Sequence, residues 1–277
     1  METLVLIPSL FFIITILGYI IPYIISTKNG HVKFIFPAIS DTGINLPESF
    51  FFRQLLNLSG FLSICNVFVR YEQCSLHLAQ LNDSNLTLIK KINFWCLING
   101  IVGGIGVTFV ANFRSEKVSN SLNAEQIYII YERSIHHLAA FLAFGTGLLY
   151  CILQTFSSYR LVSYNINTIT ICYLRLIITL SAVFNFLVFI IGKIVLKFVE
   201  ENNSLRIKEE PWLQLRIISN FSEWLMCLSF TTFALTFIYE FQKIEIRANF
   251  RHPDNFSSSS HSISLPSFLA ETEQRSS

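Results

Sequence analysis

Residues Leu176–Leu196 read LIITLSAVFNFLVFIIGKIVL, and Lys193, near the end, is the single charged side chain among them. The hydrocarbon core of a bilayer is about 30 Å thick and an α-helix rises about 1.5 Å per residue, so about 20 apolar residues are needed to cross it. This run is long enough, and a lysine near its end can extend its ammonium group to the interface. The stretch therefore predicts a transmembrane helix.

Five further runs of comparable length and apolarity occur in the chain. They are Leu4–Ser26, Phe50–Val69, Ile92–Asn112, Ser134–Ser157 and Ile217–Tyr239. The predicted fold is all-α, a polytopic membrane bundle of six transmembrane helices within residues 1–250. Residues 251–277 are rich in serine and contain Pro253 and Pro266, which is typical of a disordered tail.

The composition agrees with lipid as the surrounding solvent. Hydrophobic residues make up 52% of the chain and charged residues 14%, whereas soluble domains carry about 25% charged residues. The net charge of +2, with no dense cluster of Lys and Arg, argues against nucleic-acid binding. The six cysteines show no CxxC spacing, and all lie in or beside apolar runs except Cys74, which is expected in a polar loop. We therefore predict neither a metal site nor a cofactor.

Small residues recur at a spacing of four in two of the runs. Gly100 and Gly104 form a GxxxG pair in the third run, and Ala139, Ala143 and Gly147 form a similar stripe in the fourth. Small side chains let membrane helices approach closely. The pattern predicts packing between these two helices within one chain, and a homodimer face is the alternative.

Two groups of polar residues lie at or near membrane depth. Glu223 is inside the sixth run, where an acid is costly and calls for a polar partner unless it lies near the headgroups. We expect it to face the bundle interior, with Asn112 and His137 as candidate partners on other helices. His136 and His137 are adjacent, so they cannot chelate one metal ion as an i, i+4 pair can.

The first loop, Thr27–Ser49, is dense in turn-forming residues and acids. Asp41 and Glu48 could form an acid pair, but no nucleophile and base accompany them. Pro47-Glu48 suits the first turn of a helix, because proline lacks an N–H and a carboxylate is favourable there. The residues are therefore assigned either to turns and helix capping or to recognition of a ligand or partner.

Short motifs lie along the chain in a particular order. They are Pro37–Gly43 and Pro47-Glu48 in the first loop, Arg70-Tyr71, Val110–Phe113, Gln154–Tyr159, Glu223-Trp224 and Phe241–Lys243. Together they resemble the DRAM family, the damage-regulated autophagy modulators, over most of residues 18–250. The chain departs from that family in two places. Its third loop, Arg114–Arg133, is longer, with His137 matched to the family's histidine, and its fifth loop offers Glu210-Pro211-Trp212 in place of a Trp-Asn-Pro run.

The resemblance implies a six-span protein of lysosomal or related endomembranes that modulates autophagy, with both termini in the cytosol and no established catalytic residues. Lys and Arg divide equally between the two faces, but the fourth loop, Ser158–Arg175, has basic residues and no acid, which favours cytosolic termini. Two functional hypotheses follow. The first is a non-enzymatic modulator that contacts membrane lipids, other membrane proteins or a second copy of itself. The second is a lipid-handling enzyme or transporter, which requires polar residues around a lipid-sized cavity.

Overall fold

The structure is a computed structural model, and it describes residues 4–81, 86–116, 124–201 and 209–243. Within these ranges the protein is helical and contains no strand. Six long helices are followed by a one-turn helix: α1 (Leu6–Lys28), α2 (Glu48–Gln80), α3 (Thr87–Asn112), α4 (Ala124–Arg160), α5 (Ile169–Glu201), α6 (Glu209–Leu235) and α7 (Ile238–Phe241). Six helices in these ranges are long and apolar enough to cross a membrane, which confirms the predicted fold class.

The helices are longer than the apolar runs that predicted them. α2 continues to Gln80, well past Val69, and α4 begins at Ala124, well before Ser134. The expectation that Cys74 lies in a polar loop is wrong, because it is buried in the extension of α2. Hydropathy marks only the part of a helix that lies in lipid, and the helices continue beyond that part with mixed polar and apolar residues.

Large apolar side chains cover the outside of the bundle at mid-helix. Phe61 of α2, Phe141 of α4 and Phe184 of α5 are each more than half exposed. On a membrane helix such side chains contact lipid tails, where phenylalanine is favourable. This arrangement accounts for much of the heavy use of phenylalanine, at 27 residues in the chain.

Consecutive helices are neighbours in the bundle. α3 lies between α2 and α4 and packs extensively with both, and α1 packs along α2. α5 and α6 form a second closely packed pair. Smaller contacts between α4 and α5, and between α1 and α6, join this pair to the other four helices.

Glycines on two sides of α3 permit these close approaches. A Cβ added to Gly104 would lie 2.6 Å from Ile64 Cγ1 and 3.0 Å from the Gly60 carbonyl oxygen, both on α2. A Cβ added to Gly106 would lie 2.7 Å from the backbone nitrogen of Ala143 and 2.9 Å from the carbonyl oxygen of Ala139, both on α4. Backbones this close leave no room for a side chain, as in other membrane helix pairs that use small residues.

The two predicted stripes of small residues therefore do not meet as expected. α3 and α4 do pack together, but Gly100 and Gly104 face α2, where a Cβ on Gly100 would overlap Val67. Ala139 and Ala143 instead meet Gly106. A Cβ added to Gly147 would lie 3.8 Å from the Phe230 ring of α6, and a Cβ added to Gly103 of α3 would lie 3.7 Å from the Gly147 nitrogen. The reason is helical geometry, because α3 has neighbours on two sides and each uses its own set of glycines.

The bundle has two ends that differ in chemistry. We call the end at which the first loop joins α1 to α2 the first-loop face, and the end at which α1 begins and α6 ends the terminal face. Residues Met1–Ile244 form one compact unit. The predicted tail, residues 251–277, lies outside the described residues.

Candidate functional site

The first loop is attached to the bundle through its backbone carbonyls. Three side chains of α1 and α6 donate hydrogen bonds to successive parts of it: Tyr23 Oη to Phe34 O at 2.8 Å, Asn220 Nδ2 to Phe36 O at 3.0 Å and Trp224 Nε1 to Pro37 O at 2.9 Å. We call Tyr23, Asn220 and Trp224 the loop clamp. Because each bond satisfies a carbonyl that the irregular backbone leaves free, the loop is held in one conformation.

The loop clamp is itself supported by neighbouring side chains. The rings of Tyr19 and Tyr23 meet the Trp224 indole edge to face, at centroid distances of 6.2 and 5.6 Å. Lys193 Nζ donates to Asn220 Oδ1 at 3.1 Å, so the lysine expected to extend to the interface orients the clamp as well. Helices α1, α5 and α6 thus converge on the first loop.

Glu223 lies inside the bundle beneath this loop and is 5% exposed. Its carboxylate interacts with the backbone N–H of Ile39, and Lys193 and Asp41 are its charged neighbours. Its Oε2 has no hydrogen-bond partner among the described residues. The hydrogen-bond partner of Glu223 is therefore the backbone of the first loop, and the charged group of another helix near it is Lys193 of α5.

The residues predicted as partners of Glu223 lie elsewhere. Asn112, at the end of α3, forms a reciprocal amide pair with Asn57 of α2, with both N···O distances at 3.0 Å. His137 is exposed on α4, whereas His136 is buried and its Nδ1 lies 2.7 Å from the carbonyl oxygen of Phe113. Of the two adjacent histidines, the inward one is thus His136, and it ties α4 to the end of α3.

Asp41 and Glu48 occupy different positions in the first loop and do not pair. Asp41 is half-buried in the short 3-10 turn Ser40–Gly43. Glu48 is the first residue of α2 and is fully buried, with Oε1 2.5 Å from His31 Nδ1. A carboxylate at this position also interacts favourably with the positive end of the helix dipole. The structure thus places Glu48 at a helix start and Asp41 near the buried Glu223.

A second polar cluster, which the sequence did not predict, lies toward the terminal face. Arg70 of α2, Arg175 of α5 and Glu240 of α7 are 1%, 0% and 2% exposed. Arg175 Nη2 lies 2.7 Å from Glu240 Oε1, and Arg70 Nη1 lies 3.6 Å from the same oxygen. We call these three residues the arginine cluster.

Neutral groups supply further contacts of the arginine cluster. Arg175 donates to Ser158 Oγ at 2.6 Å and to Thr236 Oγ1 at 2.9 Å. Gln73 accepts from Arg70 Nη1 at 2.8 Å, and its own Nε2 donates to the Glu240 carbonyl oxygen at 3.1 Å. These bonds join α2, α4 and α5 to the one-turn helix α7 and to the turn that precedes it.

Both guanidinium groups lie near one aromatic ring. The Cζ atoms of Arg70 and Arg175 lie 5.6 and 4.9 Å from the centroid of the Phe237 ring. A cation over a ring face is stabilised by the ring quadrupole, more strongly where water is excluded. The ring therefore helps to hold two like charges at one buried place.

One signal in the sequence could have indicated this cluster. Arg70, Arg175 and Glu240 each sit immediately beyond the end of an apolar run, and alternating helix directions place these three run ends on the same face. Hydropathy treats such residues as flanking charges that reach water. The side chains point inward because the helices continue past the apolar runs and enclose them.

The side-chain contacts at these two sites hold the first loop on the bundle and join its helices. Among the described residues no group of three or more His, Cys, Asp or Glu could hold a metal ion. Two concavities, of about 230 and 350 Å³, lie between α2 and α3 and along α5, α6 and α7. None of Asp41, Glu48, Asn112, His137 and Glu223 lines either of them.

Comparison with known proteins agrees with these observations. The sequence pattern of the Frag1/DRAM/Sfk1/Cwh43P N-terminal domain matches residues 3–244. DNA damage-regulated autophagy modulator protein 2 of Homo sapiens is 30% identical over 245 residues, which is 87% of this chain and 85% of that protein. DNA damage-regulated autophagy modulator protein 1 of Homo sapiens is 27% identical over 83% of this chain and 87% of its own length.

The chain is also similar to a protein outside the autophagy modulators. Transmembrane protein 150A of Xenopus laevis is 26% identical over 75% of this chain and 62% of its own length. No solved structure matches the chain. The match over residues 3–244, the helices long enough to span a membrane and the relatives' shared length lead to one conclusion: the chain is a multi-pass membrane protein of the Frag1/DRAM/Sfk1/Cwh43 family.

Proposed function

We propose that this protein modulates autophagy from a lysosomal or related endomembrane, without catalysing a reaction, through contacts with membrane lipids and other membrane proteins. Family membership supports the proposal, and so do relatives over most of the chain whose names describe autophagy modulation. Both termini are assigned to the cytosol, which puts the first-loop face in the lumen. The acid-free fourth loop favours this orientation.

One structural observation carries the contact mechanism. The segment of the first loop that the loop clamp holds presents an apolar edge in which Phe34 is 72% exposed and Ile35 59%, and Leu46, later in the same loop, is 63% exposed. Apolar side chains that a fixed backbone holds in an exposed position are typical of a surface that meets a membrane or a protein. The loop clamp fixes the position of this edge before any partner binds, so binding need not order the loop.

The two concavities described above do not favour the lipid-handling alternative. It requires polar residues converging on a cavity of lipid size. The 350 Å³ concavity is lined chiefly by apolar residues of α5, α6 and α7, and the 230 Å³ concavity by residues of α2 and α3. Glu223, the acid of the expected set that lies within a predicted transmembrane run, is covered by the first loop instead.

The proposal is tested in cells that lack the native protein. We expect wild-type protein to restore autophagic flux, measured as lysosome-dependent turnover of an autophagosome marker. The double variant Phe34→Ser/Ile35→Ser should reach the same membranes at the same level but restore little flux. Phe34→Leu, which keeps the edge apolar, should behave as wild type.

Two results would contradict the proposal in different ways. Failure of the wild-type protein to change flux, despite correct localisation, would refute the autophagy role itself. Full restoration by the double variant would refute the contact mechanism and leave the role in place. Fractionation of the same cells checks the endomembrane location independently.

A further inference from the structure

The guanidinium of Arg70 has an unused edge inside the protein. Its Nη1 donates to Gln73, whereas its Nε and Nη2 are buried and have no hydrogen-bond partner among the described residues. Nε–H and one N–H of Nη2 point the same way from the planar group. They form the fork that binds two oxygens of a carboxylate or phosphate at once.

The arginine cluster also carries an excess of positive charge. Arg70 and Arg175 both lie against Glu240 Oε1, which is the carboxylate oxygen within ion-pair distance of either in the described residues. The Phe237 ring offsets part of the cost of burying the second cation. A buried charge without a full partner remains costly, and arginine cannot lose its proton to avoid this.

A third group in the neighbourhood of Arg70 is also unsatisfied. The hydroxyl of Tyr150 on α4 is buried without a hydrogen-bond partner among the described residues. Its ring lies 6.4 Å from that of Phe237, over which Arg70 is placed, and Arg70 is one of its charged neighbours. Water molecules could satisfy these N–H and O–H groups but would leave the excess charge, whereas an anion does both.

The cluster lies at a depth where phosphate groups are abundant. Arg70 lies about 33 Å along α2 from Glu48, the first residue of that helix. This distance is close to the thickness of a hydrocarbon core, which is about 30 Å. With Glu48 at one boundary, Arg70 reaches the headgroup level of the opposite leaflet. Both lipid headgroups and free phosphate are available there.

We propose that Arg70, through its Nε and Nη2, together with the Tyr150 hydroxyl, binds a phosphate-type oxyanion within the arginine cluster. The anion neutralises the charge that Glu240 leaves uncompensated and joins α2 to α4 at the terminal face. It acts as a structural ligand of the bundle. The site is separate from the first loop, and so the inference does not depend on the function proposed above.

The test measures the melting temperature of the purified full-length protein in detergent. Inorganic phosphate is titrated against sodium chloride at matched ionic strength, and the protein is also transferred to micelles with or without phosphatidic acid. We expect phosphate to raise the melting temperature saturably in wild-type protein. Arg70→Lys keeps the charge but removes the fork and should abolish the effect, whereas exposed Arg160→Lys should retain it.

A second variant keeps the proposal testable if Arg70→Lys does not fold. Tyr150→Phe retains the ring and should weaken phosphate binding about tenfold, through loss of one hydrogen bond to a charged group. Stabilisation by phosphatidic acid alone, lost in these variants, would identify a lipid as the source of the anion. Equal stabilisation of wild type and variants by both anions, or by neither, would overturn the proposal.

Discussion

Replacing Gly106 with alanine tests whether backbone contact between α3 and α4 holds the bundle together. The new Cβ would lie 2.7 Å from the nitrogen of Ala143 and 2.9 Å from the carbonyl oxygen of Ala139. Both atoms belong to the α4 backbone, so no side chain can rotate away and the helices must separate. Overpacking of this kind costs about 1–3 kcal/mol, and it outweighs a gain of up to about 1 kcal/mol in helix propensity.

Gly145→Ala provides the matched control on the adjacent helix. A Cβ at Gly145 meets no atom within 4 Å, so the same substitution adds helix propensity without a clash. We expect Gly106→Ala to unfold at a lower temperature than wild type and Gly145→Ala at the same or a higher temperature. Fluorescence-detected gel filtration of heated, detergent-solubilised protein measures all three under identical conditions.

The decisive result is whether the unfolding temperature of Gly106→Ala lies below that of the wild-type protein. If Gly106→Ala melts at or above the wild-type temperature, the two backbones are not in contact at this position. If both variants lose stability equally, the loss reflects glycine replacement in membrane helices in general. Either result refutes the reasoning from the α3–α4 contact.

Three further predictions concern packing, the buried acid and topology. Gly104→Leu should lower the folded yield in detergent, because Ile64 and the Gly60 backbone occupy the space, and an unchanged melting profile would mean that this position faces lipid. Glu223→Gln should keep protein level and autophagic flux closer to wild type than Glu223→Leu does. An amide oxygen still accepts from the Ile39 N–H, whereas leucine leaves that buried donor without a partner at a cost of about 1–3 kcal/mol. If both variants behave as wild type, Glu223 is not part of the site. A C-terminal tag should be digested by protease outside sealed vesicles, and full protection would reverse the orientation.

The number and type of the helices were predictable because lipid imposes a simple requirement on sequence. A run such as Leu176–Leu196 must form a helix in a bilayer, because only then are its backbone N–H and C=O groups hydrogen-bonded. The length of the apolar run is then enough to identify it as a transmembrane helix. The ends were less predictable. Beyond the lipid, α4 is extended by residues whose mixed polarity gives no hydropathy signal, as the start at Ala124 illustrates.

The sites were less predictable than the helices, for two physical reasons. The loop clamp acts on backbone carbonyls, such as that of Pro37, and a carbonyl has no side chain that marks it in a sequence. The arginine cluster depends on which run ends meet in space, and sequence spacing does not place Arg175 beside Glu240. Glu223 was recognisable as a costly acid, but its neighbour proved to be the loop backbone at Ile39.

The glycine contacts on two sides of α3 determine how the protein can move. Rotation or translation of α3 would bring its backbone into steric conflict with α2 at Gly60 or with α4 at Ala143. We therefore expect α2, α3 and α4 to move together as one rigid unit. The pair α5–α6 meets that unit along narrower seams. Those seams carry side-chain hydrogen bonds at opposite ends, from Trp224 to the first loop and from Arg175 to Ser158 of α4. Loss of one attachment therefore leaves the other in place, and the α5–α6 pair stays joined to the rest of the bundle at the opposite face.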